Sequence, residues 1–233
     1  MWRDFSWESP RQTALFFGHP QSHYDVDIAT RKNLKKADYI AAAFSFVDSN
    51  GIDVMTMRSL GAHMGVDPTA VYRHFPTKED LVNALVDQFL QTIYGSLNKK
   101  LKDPRARIVD RAMCTRSEFE KHPDVGVALV FGNGQSWTGL TLSRDIADDL
   151  IALGVPPKSV PVAYQMLEGF VIGSCCQDFI RSPENFAIRR LRYRALDRQA
   201  FDAVSKNEDG VKKVAATAFV DGLEVILDHL ESL

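Results

Sequence analysis

Residues 56–78 of this 233-residue chain include five side chains whose hydrogen-bond donors are candidates for contact with a polyanion. Arg58 and Arg73 carry planar guanidinium groups, whose donor fork matches O6 and N7 of guanine or grips a phosphate. Tyr72, His74 and Lys78 carry the donors expected of phosphate anchors. Together these groups could hold a polyanion and read its bases, provided that folded elements present them on one surface.

No pattern typical of catalysis or metal binding accompanies these donors. The His-Glu-x-x-His motif, the nucleophile elbow, the Gly-rich phosphate loop and the Cys/His zinc pattern are absent from the sequence. The three cysteines, which include the adjacent Cys175 and Cys176, have neither metal-ligand spacing nor the arrangement of paired disulfides. His19 and His23 are four residues apart, but Pro20 interrupts any helix that would align them. We therefore expect no enzyme activity, no metal and no cofactor.

Two short helices are predicted on either side of a tight turn at Gly65. The first begins at the N-cap residue Thr56 and ends at the glycine, whereas the second begins at Asp67 and Pro68, a capping residue followed by a first-turn proline. This arrangement has the form of a helix-turn-helix, whose second helix enters the major groove of DNA. A long helix is predicted to start at a capping box at Thr77, with a buried stripe made of Leu81, Leu85, Phe89 and Ile93.

A further helix is predicted before this pair, from Leu34 to Asn50, with Gly51 ending it. Its start is strongly basic, which indicates either a negatively charged partner or a solvated arm. The basic residues are Arg31, Lys32, Lys35 and Lys36.

The run from Gly65 to Leu81 combines a tyrosine, a His-Phe pair and a Lys-Glu-x-Leu sequence. Together with Thr56-Met57-Arg58-Ser59-Leu60, this run resembles the TetR/AcrR-type transcriptional repressor family. The resemblance covers about a fifth of the chain, and the remainder resembles the family only in helical character and length. It implies a dimeric repressor whose helix-turn-helix reads operator DNA and whose larger helical domain senses a small molecule.

The resemblance also implies which residues of the two short helices face the duplex. Thr69 and Ala70 are small enough to let the second helix enter the groove and can contact a thymine methyl group. Val71 and Phe75 are predicted to point the other way, into a small core. The predicted DNA-binding residues are Lys35, Thr56, Arg58, Thr69, Ala70, Tyr72, Arg73, His74 and Lys78.

Behind this region the chain is predicted to be helical throughout. Proline and glycine breaks separate candidate helices over residues 105–121, 136–153, 158–180 and about 210–230, and no strand pattern or internal repeat occurs. The predicted fold is therefore all-α, with an N-terminal three-helix head and a larger helical domain for ligand binding and dimerisation. We assign residues 1–30 to an N-terminal extension, 31–80 to the DNA-binding domain and 81–233 to the helical domain.

Two of these rear helices, over residues 160–180 and 210–230, are apolar nearly all round, so each needs burial on more than one side. We expect them to form a four-helix dimer interface, as the family resemblance also implies. Such a dimer presents two recognition helices about 34–36 Å apart and requires a pseudo-palindromic operator. The predicted interface residues are Leu167, Val171, Ala215, Ala218, Phe219, Gly222, Leu223 and Ile226.

Residues that line a ligand pocket look in sequence like any other core residue of a helical bundle. The candidates are large apolar side chains and one amide, which suit a flat or apolar ligand of moderate polarity: Met113, Phe119, Phe131, Trp137, Gln165, Phe170 and Phe179. Trp137 follows a Gly-rich turn, where its indole could cover the mouth of a cavity.

The whole-chain composition is that of a globular protein, with 45% hydrophobic residues and a formal net charge of −2, so any DNA-binding surface must be local. Neither a signal peptide nor a membrane-spanning stretch is evident, and we expect a cytoplasmic protein without a membrane partner. One alternative stays open for the helical domain, which could recruit a protein partner without binding a small molecule. Another concerns the aromatic N-terminal extension, which could pack on the body or reach DNA through Arg3 and Arg11.

Overall fold

The computed structural model describes residues 34–131, 136–180, 184–196 and 199–233, so the predicted N-terminal extension lies outside the described residues. The chain begins with three helices that we call the head: α1 (Lys36–Asn50), α2 (Met57–Met64) and α3 (Pro68–His74). All three helices predicted for this region are confirmed, and all the described elements are helical, as the predicted fold class requires.

Local sequence accounts for the ends of the head helices. The hydroxyl of Thr56 accepts a hydrogen bond from the backbone N–H of Ser59 at 3.0 Å, and the Ser59 hydroxyl oxygen accepts one from the Thr56 N–H at 2.8 Å. Gly65 ends α2 in the left-handed conformation, with φ of +62°. Asp67 then caps α3 by accepting from the N–H of Thr69 at 2.8 Å.

A second glycine sets the distance between α2 and α3. A Cβ atom on Gly61 would lie 3.1 Å from the carbonyl oxygen of Val66 and 3.3 Å from Cα of Pro68. The missing side chain therefore lets the start of α3 pack directly against α2. The core beneath these helices contains fully buried Leu60 and Val71.

The remaining helices form what we call the body. It comprises α4 (Lys78–Ser96), α5 (Pro104–Lys121), α6 (Pro123–Phe131), α7 (Trp137–Leu153), a short 3-10 turn (Pro157–Ser159), α8 (Val160–Phe179), α9 (Glu184–Ala195), α10 (Gln199–Ser205) and α11 (Glu208–Glu231). The predicted capping box at Thr77 is present, and the predicted stripe of α4 is buried. The helices predicted for α5, α7, α8 and α11 are confirmed, whereas α6, α9 and α10 had not been predicted.

Three arginines of α5 tie this helix to α7 and α8. Arg107 and Arg111 share the buried carboxylate of Asp149 on α7, with N–O distances of 2.6 and 3.0 Å. Arg116 pairs with the buried Asp178 of α8 at 2.7 Å. These buried pairs would be costly to break singly, and they fix α5 beside the two helices that enclose the cavity described below.

Residues Lys35–Leu233 pack as one compact unit. α4 begins at the head and continues between the body helices, so no break in the chain separates the two parts at this point. The domain boundary assigned at residue 80 stays a prediction. Among the helices that the structure describes, none combines the length and apolar character needed to cross a bilayer.

Candidate DNA-binding site and ligand cavity

The helix α3 has one buried face and one exposed face. Val71 and Phe75, the latter directly after the helix, are fully buried, as predicted. Thr69, Tyr72 and Arg73 are exposed, and 51% of the Tyr72 surface is accessible to solvent. The exposed side therefore carries a guanidinium, a phenol and a small side chain on a helix narrow enough to enter a major groove.

The two arginines of this surface have free donors. Neither Arg58 nor Arg73 has a hydrogen-bond or ion-pair partner within the part of the chain that the structure describes, although Asp67 interacts electrostatically with Arg73. By contrast, the hydroxyl of Thr69 donates to Asp67 at 2.6 Å, and this bond together with the Thr69 N–H lowers the pKa of Asp67. Thr69 thus helps to cap α3, and its methyl group remains for an apolar contact.

The other predicted DNA-binding residues lie around this helix with varied exposure. Lys35 is the exposed N-cap of α1, and Thr56 is the exposed N-cap of α2. Lys78 is exposed at the start of α4, where its Nζ donates to the carbonyl of Ile52 at 3.4 Å. Two members are only half-exposed, Ala70 and His74. The His74 ring lies tilted against the ring of Tyr39, a buried residue of α1, with the ring centroids 4.6 Å apart.

A cavity of about 770 Å³ lies within the body, between α4, α5, α7 and α8, with α6 and α11 contributing to its wall. Most of the wall is aliphatic, from residues such as Leu90, Ile93, Ile108, Leu142 and Ile146. The polar side chains in the wall are Arg111, Thr115, Ser143, Tyr164, Gln165 and Glu168. This size and composition are typical of a site for a drug-sized molecule.

Three of these polar residues form a hydrogen-bonded chain between α7 and α8. The hydroxyls of Ser143 and Tyr164 are 2.8 Å apart, and the Tyr164 hydroxyl donates to Glu168 at 2.9 Å. Burial raises the pKa of Tyr164, so this phenol stays a neutral donor at physiological pH.

The head of the chain is similar in sequence to known proteins. Residues 40–85 match the family model described as bacterial regulatory proteins of the tetR family. A repressor of the HTH type from Mycobacterium tuberculosis is 31% identical over 94 residues, and this match covers 40% of the chain but only 36% of that relative. The head of this chain is therefore similar to the DNA-binding head of TetR-type regulators.

Solved structures extend this likeness from the head to the fold of most of the chain. A possible TetR family regulator from Streptomyces coelicolor A3(2) has a TM-score of 0.71 at 21% identity, covering 85% of this chain and 99% of the other. BioQ, solved with its natural double-stranded DNA operator, has a TM-score of 0.63 at 24% identity and covers 86% of this chain and 100% of its own. These similarities establish the fold, because identities this low do not carry a ligand from one protein to another.

The ligand residues predicted from the sequence are mostly separate from the cavity. Gln165 lies in the wall, whereas Trp137 is 85% exposed and Met113 is 43% exposed. Phe119 is fully buried against Phe89. Phe170 stacks on Phe219, and Phe179 covers the guanidinium of Arg116. The side chain of Phe131 lies outside the described residues.

Sequence reasoning missed the hydrogen-bonded chain of Ser143, Tyr164 and Glu168, since only the packing of α7 on α8 brings these residues together.

Most of the predicted interface residues of the regulator lie on inner faces of α8 and α11. Leu167, Val171, Ala215, Phe219 and Leu223 are each at most 9% exposed within one protomer. A partner subunit can gain little surface from them, since the protomer already buries it. Three predicted members are more accessible: Ala218 is exposed, and Gly222 and Ile226 are half-buried.

One histidine joins the head of the regulator to its body. His122, between α5 and α6, has its Nδ1 atom 2.9 Å from both carboxylate oxygens of Asp48 on α1. Its ring also meets the ring of Phe44 edge-on, with the centroids 4.9 Å apart. The nearby carboxyl of Asp124 has a raised pKa because of burial and the charges of Asp53 and Asp48. His122 thus lies at an acidic junction between the two parts of the protein.

Proposed function

We propose that this chain is a repressor that binds a pseudo-palindromic operator as a homodimer and is released when a small molecule occupies the cavity. The observation that carries the proposal is the two-sided character of α3, with Val71 and Phe75 in the core and Thr69, Tyr72 and Arg73 exposed. A recognition helix needs this division, because its inner face must hold it rigidly while its outer face contacts bases. BioQ, which shares the fold, was solved on its operator DNA and supports the same role here.

Exposed apolar side chains on α8 and α11 support a dimer. Val162 is 63% exposed, Met166 is 37% exposed and Val225 is 67% exposed. Val162, Met166 and Phe170 are spaced four residues apart on one face of α8, and Phe170 contacts α11 through Phe219. We infer that these outer faces, rather than the buried residues predicted from sequence, meet the partner subunit.

The position of α6 supports regulation by a ligand. Leu129 and Val130 of α6 line the cavity, and the same helix begins beside His122, which contacts Asp48 of the head. A ligand that shifts α6 would therefore change the placement of α1, and about 2.7 kcal/mol of coupling is enough for a 100-fold loss of operator affinity. The cavity favours this regulator over a recruiter that binds no small molecule.

The direct test of DNA reading uses Arg73→Ala and an operator selected from random DNA. We expect the variant to lose preference at one base pair in each half-site, by about 1–3 kcal/mol, because the guanidinium fork is removed. Lys78→Ala is the matched control, since loss of a phosphate contact should weaken all sequences evenly and reduce the salt dependence by about one charge. Titration against single-base operator mutants measures both effects. Identical base profiles for the two variants would count against the proposal.

A further inference from the structure

The two charged side chains in the cavity wall differ in whether another group of the protein neutralises them. Arg111 and Glu168 lie on opposite helices of the wall, α5 and α8. Nη1 of Arg111 is 3.0 Å from the Oδ2 atom of Asp149, and both side chains are less than a tenth exposed. The positive charge of Arg111 is therefore compensated inside the protein before any ligand enters.

Glu168 has no such compensation. Its only hydrogen bond within the described ranges comes from the Tyr164 hydroxyl, to one of its two oxygens, and no described Lys, Arg or His lies within ion-pair distance. The residue is exposed, so water solvates the carboxylate while the cavity is empty. A neutral or anionic ligand that covered this carboxylate would remove its water and leave it unpaired, which is costly.

The wall around Glu168 favours a large apolar body on the ligand. Gly169 and Gly173 line the cavity on the same helix, and apart from the adjacent residues and the nearby backbone of α8 no atom lies within 4 Å of the Cβ position of either. This open space lets a broad ring system approach the backbone of α8. On the facing side the cavity offers aliphatic side chains from α4, α5 and α7.

We propose that the ligand of this cavity is an apolar organic cation whose positive charge pairs with Glu168. The proposal rests on the proposed function only in taking the cavity as the ligand site. Tyr164 and Ser143 hold the carboxylate in place, and the aliphatic wall takes up the apolar body of the ligand.

The test uses two dyes with the same xanthene core and opposite charge. Tetramethylrhodamine methyl ester is a cation and fluorescein is an anion, and fluorescence anisotropy measures the binding of each to the full chain. We expect the wild type to bind the cation at least 10-fold more tightly. Glu168→Gln should lose about 10-fold affinity for the cation and none for fluorescein. Glu120→Gln, which removes an exposed carboxylate of α5 outside the cavity wall, should behave as the wild type.

Competition by tetraphenylphosphonium, a cation of different shape, should displace the rhodamine from the wild type. Failure of both cations to bind, tighter binding of fluorescein, or equal affinity of the wild type and Glu168→Gln for the cation would each overturn the proposal. Operator titrations with the same compounds separate the two hypotheses. Release of DNA by an anionic or neutral compound alone would leave the proposed repressor in place and refute the cationic ligand, whereas a chain that binds no operator would refute the repressor.

Discussion

The contact between His122 and Asp48 links the two parts of the regulator through single residues. Phe44 and Glu118 complete the surroundings of the imidazole, with Oε1 of Glu118 3.9 Å from Nε2. Since the head must hold one orientation to place α3 in the groove, this contact is a candidate for transmitting changes from the body. This contact contributes only modestly to the free energy of unfolding, because the side chains of His122 and Asp48 are 26% and 33% exposed to solvent.

A double-mutant cycle with His122→Ala and Asp48→Ala isolates this contact. We expect each variant to be less stable than the wild type and the pair to show a coupling of about 0.5–1 kcal/mol, since the contact is partly shielded from water. Urea unfolding of the four proteins gives the coupling free energy. Strictly additive effects would contradict a direct interaction and would leave Phe44 packing as the only link made by His122.

At the scale of elements, the caps and turns of the head could be predicted from sequence because each is a local interaction. Thr56, Gly65, Asp67 and Thr77 define helix ends within four residues of themselves. The helix α6 was missed because its nine residues are nearly all apolar and carry no periodic signal, so they resemble any buried segment. The nine-tenths-buried Arg189 of α9 shows the other difficulty, since its pairing with Asp178 and its hydrogen bond to the carbonyl of Gln177 are contacts that the sequence does not reveal.

The functional residues differ in the same way in how far the sequence predicts them. The donors of α3 lie in one short run of adjacent residues, so their place on the exposed side of a helix could be predicted. The cavity wall draws on six helices, so its members share no sequence spacing. The predicted interface residues of α8 and α11 stay a prediction, since an apolar helix does not reveal in sequence which side its own protomer buries.

The turn between α2 and α3 depends on the left-handed backbone conformation of Gly65. Gly65→Ala should lower the free energy of unfolding by about 1–2 kcal/mol, because an L side chain is strained at the left-handed φ of +62°. Gly95→Ala is the matched control in the last turn of α4, where no atom outside the adjacent residues and the nearby helix backbone lies within 4 Å of the new Cβ. It should raise stability by less than about 1 kcal/mol, since alanine favours a helix more than glycine does. Urea unfolding measures both, and changes of the same sign would contradict the assigned turn.

At the scale of the whole molecule, the proposed function depends on two copies of α3 held at a fixed separation. In the proposed dimer, the exposed Val162, Met166 and Val225 would supply apolar surface for the contact between protomers. A symmetric dimer then repeats the same base contacts about one turn of DNA away, so the operator must have matching halves. The fit of α3 to the major groove, the spacing of the half-sites and the symmetry of the operator would all follow from this dimer.

Methylation protection of the selected operator by dimethyl sulfate tests this arrangement most directly, since the reagent reports guanine N7 in the major groove. We expect two symmetric clusters of protected guanines whose centres lie about 10 base pairs, or a multiple of that, apart. It also predicts that Arg73→Ala exposes one guanine in each cluster and leaves the others protected. A single unpaired cluster, or protection restricted to adenine N3 in the minor groove, would contradict the claim that α3 reads DNA as half of a dimer.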